Sequence, residues 1–334
     1  MAKFAVLGMG GFGIALSVML NKFGHDIVIW SPFEDELNAV KKDGENKHKL
    51  PGVKLDKKIK LTSDVTCVSG CEIALLGIPT EFMRSTVRLI APYLSDKAVV
   101  LSTSKGLEVG SNKRMSEVIK EELPSVPAVI LSGPSHAEEV GIGMPTTVAV
   151  SSADMRRAEY IQKVFGNSDF RVYVNDDLIG CELGGSLKNV IALCAGICSG
   201  MGYGDNTIAA LMTRGVTEIA RLGVALGGRL ETFAGLTGIG DLIVTCTSLH
   251  SRNRRAGVLI GQGLSPDEAV KQVGTVEGYS CAKAAYELSK EHNVVMPITE
   301  QCYNVIVNGL DPKAALKNLM RRPNANEVER IWTN

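Results

Sequence analysis

Phe4-Ala5-Val6-Leu7 runs into Gly8-Met9-Gly10-Gly11-Phe12-Gly13, and that turn runs into Ile14-Ala15-Leu16-Ser17-Val18-Met19-Leu20. A second β-branched run, Asp26-Ile27-Val28-Ile29-Trp30, follows. The order is strand, glycine turn, helix, strand: one βαβ unit of a dinucleotide-binding fold. In that context each glycine has a physical task. Gly8 permits the tight turn, Gly10 lets the backbone approach a pyrophosphate, and Gly13 lets helix and strand pack closely. The helix N-terminus then offers N–H groups and partial positive charge to phosphate oxygens.

Outward from this unit, strand-like and helix-like stretches alternate to about residue 174. The further strand candidates are Glu72–Pro79, Ala98–Thr103, Ala128–Leu131, Thr146–Val150 and Phe170–Val174, with helical stretches such as Glu81–Tyr93 and Ser111–Leu123 between them. Their continuous apolar character predicts a parallel sheet covered on both faces. From Asp176 the pattern turns helical, with Ile179, Leu183, Leu187, Ile191, Cys194 and Cys198 on one face. Residues 206–226, 251–261, 266–273, 280–292, 299–308 and 312–320 also read as helices. The expected architecture is therefore α/β: an N-terminal doubly wound Rossmann-type domain over 1–175, followed by an all-α domain over 176–334. Inside the first of those later helices Gly184-Gly185 would cost about 1 kcal/mol each against alanine, which predicts a close backbone approach there.

Bulk composition narrows the function classes. The chain has 334 residues, enough for two domains, with 36 basic and 36 acidic side chains. That balance gives no reason to expect nucleic acid or an anionic membrane as partner. No run of about 18 apolar residues is present to span a bilayer. Phe4–Leu20 superficially resembles a leader peptide, but it holds four glycines and is already accounted for by the nucleotide fold. A cytoplasmic protein is expected. The eight cysteines are scattered, and Cys67/Cys71 and Cys194/Cys198 are separated by three residues rather than the two of thiolate metal sites. Buried thiols and no metal are the expectation.

Five further strings could carry chemistry. In Thr103-Ser104-Lys105-Gly106-Leu107-Glu108 a lysine follows a strand, where it could polarise a carbonyl or hold a phosphate; a solvated surface lysine is the alternative. In Ser132-Gly133-Pro134-Ser135-His136-Ala137-Glu138, Ser135 reads as a helix N-cap with Glu138 completing a capping box, at the rim of the crevice. Lys188, with Glu182, is one of two charged side chains between Asp177 and Asp205. A lysine in so apolar a segment either snorkels to water or serves as an acid/base with a lowered pKa. Gly238-Ile239-Gly240-Asp241, continuing to Thr245, is a glycine-flanked acid that could equally be a helix cap. Ser251-Arg252-Asn253-Arg254-Arg255 packs three arginines into four residues; guanidinium forks suit phosphate oxygens, a solvated helix face being the alternative. The five histidines all have ready structural readings.

Together these strings resemble the soluble NAD(P)-dependent glycerol-3-phosphate dehydrogenases of bacterial type, from Phe4 to about Met320; Thr275–Tyr279 and Met296–Glu300 join the resemblance. It implies hydride transfer between the nicotinamide of NAD or NADP and C2 of dihydroxyacetone phosphate/sn-glycerol 3-phosphate, supplying the backbone of glycerophospholipids. It further implies that Lys188 is the acid/base, that Lys105 orients or polarises the substrate, and that Asp241 and Thr245 support the lysines. Gly133, Ser135, Ser251, Arg252 and Asn253 would join Lys105, Lys188 and Asp241 around the substrate. The coenzyme would meet Gly11, Phe12, Phe82, Lys105, Ala137, Arg252 and Glu277, besides Gly8, Gly10 and Gly13. A homodimer is a reasonable expectation for this class.

One departure from the family's pattern bears on the coenzyme. Pro32 stands where many bacterial members have His or Arg, and Trp30-Ser31-Pro32-Phe33-Glu34-Asp35 contains no cation. NAD(H) is therefore expected to be accepted at least as well as NADP(H). Two other readings remain at this point: a related two-domain dehydrogenase for another phosphorylated or hydroxy-acid substrate, and a nucleotide-sensing module without catalysis.

Overall fold

In the computed structural model, which describes residues 1–324, 326 and 327, the chain divides into two units. Met1–Ser104 and Lys113–Leu178 make the first; Lys105–Asn112 and the chain from Ile179 onward make the second.

The first unit is built on eight strands: β1 (Lys3–Leu7), β2 (Asp26–Trp30), β3 (Lys60–Thr62), β4 (Ile73–Leu76), β5 (Val99–Ser102), β6 (Ala128–Ser132), β7 (Thr146–Ser152) and β8 (Phe170–Val174). They form one sheet in the order β3-β2-β1-β4-β5-β6-β7-β8. Successive side chains point to opposite faces, and both faces are covered. Phe4, Val6, Ile27, Ile29, Leu75 and Leu101 enter one core, while Ala5, Leu7, Trp30, Leu76 and Val100 enter another. That double burial is why the strands read as continuous apolar runs.

The expected all-parallel sheet needs one correction. β7 runs antiparallel to β6, with Leu131 opposite Val150, and β8 then pairs parallel with β7. A parallel crossover must carry the chain back along the preceding strand. The β6–β7 connection contains only the helix Ala137–Gly141, which at 1.5 Å per residue spans about 8 Å, half of a five-residue strand. The chain therefore turns back from the end at which β6 finished.

Elements of this unit that lie outside the sequence reading include β3 and the helices Glu34–Asp43 and Met155–Phe165. β3 is three residues at the sheet edge, too short and too polar to show a period, and the helix Glu34–Asp43 is strongly polar. The expected helix 81–93 is a 3₁₀ turn, Thr80–Phe82, followed by Met83–Ile90, and the expected helix 111–123 starts only at Met115.

In the second unit the helix Leu178–Gly200 is buried along nearly its whole length. Among the described residues it is long and apolar enough to cross a membrane, with 89% of its apolar window inside the protein. Its neighbours approach through glycine. A Cβ on Gly184 would lie 2.8 Å from Thr237 O, which accounts for the glycine predicted to be costly there. Lower down, Gly196 and Gly200 meet Arg254 and Val258, while Gly257 and Gly261 of the helix Arg252–Gly261 meet Leu193 and Ile197. A side chain at any of these four positions would come inside 3.0 Å of a facing main-chain oxygen. The two helices thus pack backbone to backbone.

Candidate functional site

The glycine turn stands where the strand order reverses. β1 is flanked by β2 and β4, so the loops leaving β1 and β4 diverge and open a crevice at the carboxyl end of the sheet. Gly8 adopts φ +103°, and its N–H donates to Trp30 O (2.9 Å). A Cβ there would lie 2.6 Å from Ile78 and 2.8 Å from Gly77 O. Gly13 sits against Gly8 O, and Gly11 against Lys49 O. Internal packing thus demands glycine at 8, 11 and 13.

Gly10 differs. Its backbone is extended (φ −74°, ψ 163°), open to any residue. A Cβ on it would touch only Gly77 O, at an ordinary 3.5 Å. Nothing in the protein requires glycine at 10, whereas a phosphate group lying close over the N-terminus of the helix Gly11–Lys22 would. The residues present therefore fit a dinucleotide, held by the N–H groups of that helix terminus, which carries no side-chain cap. Ala137 lies beside Gly11. Phe82, half exposed, follows β4.

After β6, Gly133 takes φ +129°, and a Cβ on it would lie 3.1 Å from the α-carbon of Val148. Ser135 is not the N-cap expected from its spacing to Glu138. His136 is the cap residue, and Ser135 Oγ donates to Gly133 O instead (3.0 Å). The Gly133-Pro134 turn leaves Ser135 one residue short of the helix start.

The second unit holds a different kind of site. Asp241 begins the helix Asp241–Thr247 after one π-helical turn, Leu236–Gly240. Thr245, four residues on, lies on the same helix face. Gly184 lets the helix Leu178–Gly200 come against Thr237, close enough for Lys188 to reach both. Lys188 Nζ donates to Asp241 Oδ1 (2.7 Å) and Thr245 Oγ1 (2.6 Å). Thr245 Oγ1 donates in turn to Asp241 O (2.6 Å). Lys105 Nζ takes the other carboxylate oxygen, Oδ2, at 2.8 Å.

Two ammonium groups thus share one carboxylate. Lys188 and Asp241 are almost wholly buried, whereas Lys105 keeps 18% of its side chain exposed. Burial pushes Lys188 down to about 8; Asp241 opposes that shift and the charge of Lys105 adds to it. Burial by itself would raise Asp241, but the two lysines more than offset it and hold the carboxyl below its ordinary value. Cys246 is buried alongside and is pushed up to about 12, so its thiol stays protonated.

A chain of amides supports the cluster. Gly278 N donates to Asn253 Oδ1 (2.9 Å), Asn253 Nδ2 to Asn189 Oδ1 (2.9 Å), and Asn189 Nδ2 to Lys105 O (2.8 Å). This chain sets the starts of two helices side by side, one carrying Ser251, Arg252 and Asn253, the other Glu277 and Gly278. Ser251 caps its helix by accepting from Arg254 N, and Arg252 is exposed. Asn189 and Gly278 were absent from the expected site residues. Asn189's only signal was its place beside Lys188; a polar residue on a buried helix is one the backbone relay explains.

Of the expected site residues, Lys105, Lys188, Asp241, Thr245 and Asn253 thus meet in one connected network. Ser251, Arg252 and Glu277 stand at the two helix starts tied to it. Gly8, Gly10, Gly11, Phe12, Gly13, Phe82, Gly133, Ser135 and Ala137 belong to the first unit. Among the described residues no group of three or more His, Cys, Asp or Glu side chains is placed to hold a metal ion.

Comparison with known proteins agrees with this layout. Residues 3–158 match the family model of the NAD-dependent glycerol-3-phosphate dehydrogenase N-terminus, and residues 177–317 that of its C-terminus. The chain is 52% identical to glycerol-3-phosphate dehydrogenase [NAD(P)+] of Moorella thermoacetica over 330 residues, covering 98% of each. It is 48% identical to the Bacillus subtilis enzyme of the same name over 334 residues, 98% of this chain and 97% of that one. The crystal structure of the glycerol-3-phosphate dehydrogenase of Coxiella burnetii superposes with a TM-score of 0.92 at 35% identity, covering 96% of this chain and 99% of that one. With both family models spanning most of its length, the chain belongs to the NAD-dependent glycerol-3-phosphate dehydrogenase family.

Proposed function

We propose that this chain interconverts dihydroxyacetone phosphate and sn-glycerol 3-phosphate with NAD(P)H, the activity carried in the names of relatives about half identical to it. What supports the reading most directly is the buried carboxylate shared by two lysines, one of them brought down to about 8. A carbonyl receiving hydride needs a proton donor with a pKa near the working pH. The nicotinamide, when bound, supplies the hydride to C2. Lys188 holds the proton that the C2 oxygen takes up and recovers it in the reverse direction. Lys105 orients and polarises the ketone, and Asp241 with Thr245 fixes the lysine nitrogens. In the second unit Ser251, Arg252 and Asn253 are the residues suited to a phosphorylated substrate, for which guanidinium forks are fitted. In the first unit Gly8, Gly10, Gly11, Phe12, Gly13, Phe82 and Ala137 hold the coenzyme.

Three arginines within four residues, Arg252, Arg254 and Arg255, favour a phosphate-bearing substrate, and a sensing module would have no use for the two lysines. The protein works in the cytoplasm, as a homodimer, outside the membrane, and its product supplies the backbone of glycerophospholipids. The test follows loss of absorbance at the reduced nicotinamide band with dihydroxyacetone phosphate. Rapid loss is expected; no turnover with it, or equal turnover with unphosphorylated dihydroxyacetone, overturns the reading.

A further inference from the structure

The run directly after β2, Ser31–Asp35, offers no cation, yet the fold brings one there. Glu36 lies in the first turn of the helix Glu34–Asp43, and its Oε2 accepts from Ser31 Oγ (3.3 Å). Ser31 is the residue directly after β2, the strand end from which dinucleotide folds read the adenosine ribose. Lys49 Nζ lies 2.7 Å from Glu36 Oε1. The lysine stands on a hydrogen-bonded turn. Buried Asn46 accepts from the N–H groups of His48 and Lys49 through Oδ1, and its Nδ2 donates to Glu36 Oε1 (2.9 Å). Leu50, fully buried, anchors the turn in the core. The main-chain oxygen of Lys49 rests against Gly11 at the start of the first helix. Glycine turn, strand end and Lys49 thus converge within the first unit, and 44% of the Lys49 side chain remains exposed.

We propose that Lys49 and Glu36 form a coenzyme-discriminating pair at the end of β2. Lys49 takes the 2′-phosphate of NADP(H), whereas Glu36, with Ser31, takes the 2′-hydroxyl of NAD(H). A carboxylate alone at this position would repel a dianionic phosphate. A lysine that exchanges Glu36 for the phosphate removes that repulsion, and a half-exposed ion pair exchanges partners at little cost. The chain therefore accepts both coenzymes, NADP(H) through a cation that is eighteen residues distant in sequence from Ser31. This inference rests on the dehydrogenase reading and deepens it at the coenzyme site.

The test is direct binding of NADH and NADPH, followed by nicotinamide fluorescence at one low salt concentration, for wild type, Lys49→Ala, Lys49→Arg and Glu36→Gln. Wild type is expected to bind both. Lys49→Ala should weaken NADPH tenfold or more and change NADH less than threefold. Lys49→Arg should retain NADPH, and Glu36→Gln should shift preference toward NADPH. Binding of both coenzymes with an NADPH/NADH ratio unchanged by Lys49→Ala overturns the pair and leaves the dehydrogenase reading standing. Binding of neither coenzyme by wild type overturns both.

Discussion

Two lysine–carboxylate pairs of this molecule have the same length and opposite character. Lys188 and Asp241 meet at 2.7 Å in the second unit, and Lys49 and Glu36 meet at 2.7 Å in the first. Only 6% of the Lys188 side chain and 2% of the Asp241 side chain reach solvent, against 44% and 19% for the other pair. In the buried pair desolvation is uncompensated by water, so the lysine pKa falls into the range where a proton can be given and taken back. In the open pair water screens the attraction, and either partner can leave. Distance is not what assigns a role to an ion pair; the dielectric around it is.

The largest effect should come from breaking the buried pair at its lysine. Lys188→Ala is expected to lower kcat by about 10²–10⁴-fold, with coenzyme binding retained; a variant keeping a third of wild-type kcat excludes the assignment. The wild-type pH profile bears on the same group. Ketone reduction needs Lys188 protonated, so its kcat should fall as pH rises through about 8, and glycerol 3-phosphate oxidation should rise through the same region. A flat profile from pH 7 to 9 in both directions would place the proton elsewhere.

Removing the shared carboxylate tests the energetics. Asp241→Asn leaves two neighbouring ammonium groups without their counter-charge and should cost about 3–5 kcal/mol of stability in denaturant titrations. It should also lower the Lys188 pKa further, since Asp241 is the group that raises it. A loss below about 1 kcal/mol, the range of a surface pair, would erase the distinction between the two regions.

Arg252→Ala probes an exposed cation whose proposed partner is a ligand. It should raise KM for dihydroxyacetone phosphate about 10- to 100-fold, the worth of a charge-assisted pair of roughly 1.5–3 kcal/mol. The effect on unphosphorylated dihydroxyacetone should be much smaller, and equal losses on both would mark a structural role. Smallest of all, Lys49→Ala should change stability by no more than about 1 kcal/mol in the absence of coenzyme. A larger loss there would mean that the turn 46–50 depends on the ion pair rather than on Asn46 and Leu50.

Features set by neighbours in sequence were legible without the structure. Strand, turn and helix at residues 3–22 follow from local pattern, as do β2, β8 and the helices Pro266–Val273 and Pro312–Met320, whose bounds were read to the residue. Where the local signal was weak, the reading failed in a physically intelligible way. β3 is too short to show a period, and the turn at Gly133-Pro134 displaced the helix cap from Ser135 to His136.

The sequence by itself determined that a glycine turn follows the first strand, that a helical unit follows a sheet, and that a lone lysine sits in an apolar helix. Those are statements about residues within a few turns of one another, where backbone sterics and periodicity act. Only the tertiary structure decided what each charge faces. Asp241 reaches Lys188 because Gly184 admits Thr237, and Lys105 joins them from a segment 136 residues before Asp241. Lys49 meets Glu36 because Asn46 ties the turn that carries Lys49 back to the first turn of the helix Glu34–Asp43. Burial and charge proximity are sums over distant segments: the apolar helix around Lys188 already pointed to a lowered pKa as one reading, but the partners that tune it, and the exposure of Lys49, come from residues far away in the chain.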